Sequence, residues 1–303
     1  MNVLRLVLCA LLANCAYPAS GKEPPSEGGA VSRKSKGINF YSRAREIEMG
    51  KELSRDIERS ARLIEDPVVL EYVNRVGLGI VHQSASLFTL RIRIIRDEDA
   101  NSLTLPGGYI YIHSGLILAA VNEAELAAAL AHEIGHVAAR HYVRQASCGD
   151  ILSFAAIPLL LVGGWPGLLA HEGTNLGGTL VMKHLSRRAE AEADRLGIQY
   201  LYEAGYDPTA FVDLLERTSP GDHRPSRSPG FLSEHPSPSN RVRAAQKQIQ
   251  RDLLPRGEYL LQTSEFDVIH ERLAAIARGT PVPWITTTSP SGSDERPVLR
   301  RRP

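Results

Sequence analysis

The chain carries almost no excess charge of either sign: Lys+Arg 35 stand against Asp+Glu 34, a formal net charge of +1 over 303 residues. No long-range field draws such a chain toward a polyanion, and nucleic acid is not an expected partner. Cysteine is scarce. Of the three, Cys9 and Cys15 lie in the apolar N-terminal stretch, so a disulfide framework is excluded and Cys148 reads as a lone, partly buried thiol. Long apolar runs are missing too. The N-terminal apolar core, Val3 to Ala16, falls short of the ~20 residues that a membrane helix needs, and Ile151 to Ala170 is uncharged but broken by Pro158, Gly163, Gly164 and Pro166. A many-span membrane protein is excluded. What remains is ordinary globular composition, 43% hydrophobic and 23% charged.

Residues 1–21 read as an export signal, with Arg5 before the apolar core and Ala19-Ser20-Gly21 as a small-residue cleavage site. That places the protein in the periplasm or cell envelope. A lipid-modified Cys15 is an alternative, with Asn14 a poor residue before it. Residues 22–40 form a Pro- and Gly-containing linker, residues 41–280 the folded domain, and residues 281–303, rich in proline, serine and arginine, a disordered tail.

Within the domain, apolar residues recur at helical spacing from Tyr41 to about Gln83, and Asp66-Pro67 divides them into two helices as N-cap and first helical position. Phe88 to Asp97 alternates apolar with polar, and Gly108 to His113 follows a Pro-Gly-Gly turn; both predict strands of a small mixed sheet. Asn122 with Glu125 resembles a capping box and predicts a helix to about Arg144. Further helices are expected over Leu180–Ala204, after Asp207-Pro208, and, as the last one, from Pro238 to about Leu253. The fold class is therefore α+β, mostly helical.

The chemistry sits in His132-Glu133-Ile134-Gly135-His136. Residues four apart share a helix face, so both imidazoles can bind one Zn²⁺ while Glu133 reaches a water on an open coordination position. A third protein ligand is then required. The continuation that would supply a third histidine from the same stretch is absent, since Ala139 and Tyr142 stand where it needs a glycine and a histidine. The next acidic residues are Asp150, Glu172, Glu190, Glu192 and Asp194. Glu190 and Asp194 share one helix face, which offers a ligand together with a carboxylate to orient His132 or His136. Glu192 points away and is expected to be solvated, and Asp150 and Glu172 remain the alternative ligands. His113, His141 and His184 read as structural.

These residues resemble the gluzincin peptidases that include BepA, HtpX, the mitochondrial Oma protease and the CaaX prenyl proteases. The resemblance rests on His132 to His136, on Ser186 to Asp194, and on His235-Pro236 followed by Arg241, and it takes in Asn101 to Ile110 as an edge strand before the metal helix. It implies a zincin-like peptidase with one Zn²⁺ per chain held by His132, His136 and Glu190, and with Glu133 as general base. His235 and Arg241 would stabilise the oxyanion. The resemblance is to a peptidase domain without tetratricopeptide repeats, because the roughly 50 residues after Leu253 are fewer than several ~34-residue repeats need. A single membrane crossing at 151–170 would separate His136 from Glu190, so this segment is expected to be an apolar hairpin, buried in the core or touching membrane or unfolded substrate.

The expected function is a zinc endopeptidase for misfolded or unfolded envelope proteins, a protein quality control activity. Substrate would lie extended along Gly108 to Ile112 as an edge strand. The alternative is a latent, chaperone-like binder whose zinc is capped by His235.

Overall fold

Three of the long helices begin at a side-chain cap that the sequence supplies. The computed structural model describes residues 39–84, 86–148, 186–218, 238–282 and 298–301. Helix α1 (Arg43–Ser60) starts at Ser42, whose hydroxyl accepts from the Arg45 N–H at 3.2 Å. Helix α2 (Pro67–Val81) starts at Asp66, which accepts from the Val69 N–H and also receives Arg272 at 2.9 and 2.7 Å. Between them lies the short strand β1 (Leu63–Ile64). The expected leader 1–21, most of the expected linker 22–40, the apolar segment 151–170 and His235 lie outside the described residues.

Strands β2 (Arg91–Ile95), β3 (Ser102–Leu105) and β4 (Tyr109–His113) complete a four-stranded mixed sheet in the order β1-β2-β4-β3. The turn at Pro106–Gly108 needs Gly107 at φ 75° and Gly108 at φ 91°, conformations that side chains with a Cβ avoid. β4 pairs parallel with β2 and antiparallel with β3. The expected edge strand Gly108–Ile112 is thus an inner strand. β3 is the edge, because the chain turns back at Pro106–Gly108 and inserts β4 beside β2.

A short helix α3 (Ser114–Ala119) leads into α4 (Glu123–Ala139), which carries the His-Glu-x-x-His segment. The cap is the expected one: Asn122 accepts from the Glu125 N–H at 2.9 Å, and the Glu125 carboxylate accepts from the Val121 N–H at 3.2 Å. Buried residues lie on every side of α4, as in a helix enclosed by its neighbours. The helix ends earlier than expected, at Ala139. Arg140 adopts the left-handed conformation at φ 55°, and helix α5 (residues 141–148) departs in a new direction. A left-handed arginine is locally unfavourable by roughly 1–2 kcal/mol. It is held by its own side chain, which pairs with buried Glu46 and donates to the Tyr41 carbonyl at 3.1 Å. Cys148, expected as a lone thiol, is disulfide-bonded.

Helix α6 (residues 186–203) packs on α4, followed by α7 (Thr209–Thr218) and α8 (Pro238–Asp252). Two features beyond the expected last helix appear. Helix α9 (Ser264–Arg278) packs beside α2 and α3, and strand β5 (Glu258–Gln262) pairs antiparallel with β6 (Val298–Arg301). Residues 298–301, expected in a disordered tail, are ordered by that pairing. Among the described residues no helix is long and apolar enough to cross a membrane.

The α4/α6 contact is unusually close. A Cβ on Gly135 would lie 2.8 Å from the Ala193 carbonyl oxygen, and one on Gly197 would lie 3.0 Å from the His132 nitrogen. Gly135→Ala should therefore push the helices apart, destabilising the fold by about 1–3 kcal/mol and lowering metal occupancy. Urea unfolding with parallel metal analysis checks this; unchanged values in both would mean that the two backbones are not in contact.

Candidate metal centre

Across this contact α4 presents His132 and His136 to Glu190 of α6. Their Nε2 atoms are 3.1 Å apart, and Glu190 lies 3.4 Å from His132 Nε2 and 3.5 Å from His136 Nε2. One donor atom from each of the three residues falls within 4.8 Å of the others. A tetrahedral Zn²⁺ with arms of about 2.0–2.2 Å has ligand-to-ligand edges of about 3.3–3.5 Å, so the spacing fits. Two imidazoles and a carboxylate leave the fourth position for water or substrate, as catalytic sites require.

The electrostatics fit as well. Burial opposes a positive charge on His132, which is 1% exposed, but Asp194 and Glu190 outweigh it and raise its pKa to about 9. The pocket is built for positive charge, which a dication supplies as well as a proton. Asp194 lies 2.9 Å from His132 Nδ1, the contact that turns the ring's Nε2 lone pair toward Glu190. Burial pushes the Asp194 carboxyl up, but Arg241 and His132 outweigh it and hold it below the usual carboxylate range. Arg241 grips it in fork geometry, Nε to Oδ2 at 2.8 Å and Nη2 to Oδ1 at 2.7 Å. The remaining Nη1 is 3.8 Å from Glu190 Oε2.

Glu133, rotated toward the sheet, is 2% exposed. Ser102 Oγ donates to its Oε1 at 2.7 Å and Thr104 Oγ1 to its Oε2. Both hydroxyls come from edge strand β3, so the strand edge and the carboxylate share one fixed geometry. A cleft opens here between β3, Glu133, His136 and Tyr142.

The structure thus brings together His132, Glu133, His136, Glu190, Asp194 and Arg241. His235 lies outside the described residues, as do the alternative ligands Asp150 and Glu172. Two features escape a reading of the sequence. Ser102 and Thr104 are two apart on a strand, a spacing that puts both hydroxyls on one face. His141 and Glu192, expected to be structural and solvated, belong to the site instead. His141 is 2% exposed, pairs with His136 through their Nδ1 atoms at 2.9 Å, and meets Glu192 at 3.2 Å through Nε2. Glu192 also receives Arg144 of α5 at 3.2 Å. The solvated reading fails because α5, after the bend at Arg140, covers the face of α6 that Glu192 occupies.

A buried His-Glu-x-x-His helix completed by a carboxylate from a second helix defines a metallopeptidase class of site. The family model described as Peptidase family M48 matches residues 70–249, and the chain belongs to that family. It is 33% identical over 205 residues to the Beta-barrel assembly-enhancing protease of Escherichia coli strain K12, covering 65% of this chain and 42% of that protein. It is 30% identical over 295 residues to the Putative beta-barrel assembly-enhancing protease of Vibrio cholerae, covering 92% and 59%. With the Mitochondrial metalloendopeptidase OMA1 of Schizosaccharomyces pombe it shares 31% over 220 residues, covering 70% and 60%. The chain therefore spans only 42% to 60% of the length of these curated relatives.

Removing the carboxylate that closes the ligand set should empty it. Glu190→Ala is expected to lose stoichiometric zinc on metal analysis of the purified protein; full retention would move the third ligand elsewhere, to Glu172 or Asp150.

Proposed function

We propose that the chain is a zinc-dependent endopeptidase acting on extended segments of unfolded or misfolded proteins in the cell envelope. One observation carries the reading: His132, His136 and Glu190 converge on one point and Glu133 sits one residue beyond the first of them on the same helix. Zinc held there would act as a Lewis acid, lowering the pKa of its water toward neutrality and polarising a substrate carbonyl. The rest of the work falls to the chain. Glu133 takes the proton of the attacking water and returns it to the leaving amine, with its two oxygens aimed by Ser102 and Thr104. Asp194 keeps the proton of His132 on Nδ1, so that Nε2 stays a ligand. Arg241 holds Asp194, and its charge also lies close to Glu190. His235, by the family resemblance, adds stabilisation of the oxyanion.

The substrate runs along the edge of β3, Ser102–Leu105, which no other described strand pairs with, and there main-chain hydrogen bonds give affinity with little demand on sequence. Such a mode suits unfolded chains, whose backbone donors and acceptors are available. The envelope setting draws on the leader 1–21 and on relatives named for enhancing β-barrel assembly. The zinc-loaded protein is expected to cleave casein, and Glu133→Gln to slow cleavage at least about 100-fold with zinc retained. Equal cleavage by the two proteins would remove Glu133 and this site from the reaction.

A further inference from the structure

We infer that His141 and Glu192 are positioning residues that fix the proton and ring orientation of the ligand His136, by a route different from the one that serves His132. The inference rests on the metal site proposed above. For Nε2 of His136 to face Glu190 as a ligand, its ring proton must be on Nδ1. That Nδ1 lies 2.9 Å from Nδ1 of His141, with the rings at 78° to each other. Two ring nitrogens share a hydrogen bond only when one donates and the other accepts. His141 Nδ1 must then be the acceptor, which places the His141 proton on Nε2, 3.2 Å from Glu192 Oε2. Arg144 holds that carboxylate from its other side at 3.2 Å. Each choice of proton position follows from the one before it, from the metal-facing nitrogen out to the ion pair.

The two ligand histidines are therefore supported unequally. His132 meets a carboxylate directly at 2.9 Å, whereas His136 reaches its carboxylate through a neutral imidazole. The bend at Arg140 is what makes this possible. On an unbroken helix, a residue five positions beyond His136 would lie about 140° around the axis and could not face it. The left-handed Arg140 and its pairing with Glu46 turn His141 back onto the ligand.

The test compares zinc affinity, by competition with a chelating dye, in the wild type and in His141→Leu, His141→Gln and His141→Asn, together with the visible spectra of the Co²⁺ derivatives and the thermal midpoints of the zinc-free proteins. Asn offers an acceptor oxygen where Nδ1 stood, whereas Gln reaches only toward Glu192. We expect roughly 10–100-fold weaker zinc binding and an altered cobalt spectrum in His141→Leu and His141→Gln, with His141→Asn close to wild type. Should His141→Leu not fold, the Gln and Asn pair decides. Wild-type affinity and spectrum in all three variants would overturn the inference. So would equal losses in all three that follow a lowered zinc-free midpoint, because that pattern is structural. A wild type that binds no zinc would instead overturn the metal reading itself, and this inference with it.

Discussion

The site depends on two helix backbones being able to touch. Where α4 crosses α6, Gly135 faces Ala193 with no room for a Cβ, and Gly197 faces Ala131 and the His132 nitrogen, where a Cβ would fit only tightly. The pairing order is reversed along the two helices, so they run antiparallel. The alternate acidic positions of Glu190-Ala-Glu-Ala-Asp194 then meet the histidines of α4 and α5 in turn. Asp194 lies against His132, Glu190 against His132 and His136, and Glu192 against His141. Ala193, between Glu192 and Asp194, serves the same end by lying against Gly135, and Ala189 just before Glu190 is fully buried as well. A larger side chain at either place would lengthen every one of these distances together.

Such closeness gathers charge in a buried space, where an unpaired ion costs several kcal/mol. Each of the three α6 carboxylates has a charged or imidazole counterpart. Arg241 takes Asp194 in a two-point grip, Arg144 takes Glu192, and Glu190 faces the two histidines with Arg241 Nη1 at 3.8 Å. The arginines come from α8 and α5, so the two helices that carry the candidate ligands are clamped by elements that supply none of them. The same device recurs at the start of α4, where Tyr72, Tyr206 and Thr263 all donate to buried Glu123, and Arg217 forks onto Glu125. The helix is thus fixed at its first turn by polar contacts and at its last turns by the site. Between them lies apolar packing against α2 and α7.

The parts of this arrangement that follow a fixed local period were legible in the sequence. His132 and His136 share a face because they are four apart, and so do Glu190 and Asp194; the caps at Asp66 and Asn122 announce their helices in the same way. What depends on a break in the period was not legible. Arg140 carries no mark of a left-handed conformation, and its cause is Glu46, far away in the chain and buried on another helix. With the break unseen, His141 fell on the wrong face and Glu192 had no visible neighbour. The sheet order was hidden for a related reason: the Pro-Gly-Gly turn and the residues after it mark β4 as a strand but do not say that β3 folds back outside it. Strand β5 also escaped, because its partner β6 lies some 40 residues away in sequence, a pairing that local pattern cannot announce.

The central claim is that two imidazoles of α4 and one carboxylate of α6 hold a single zinc ion. X-ray absorption at the zinc edge of the purified protein tests it most directly. The account predicts a shell of nitrogen and oxygen only, at about 2.0–2.2 Å, with outer scattering from two imidazole rings and one zinc per chain. A sulfur scatterer at about 2.3 Å, or the outer signature of fewer than two imidazoles, would contradict it.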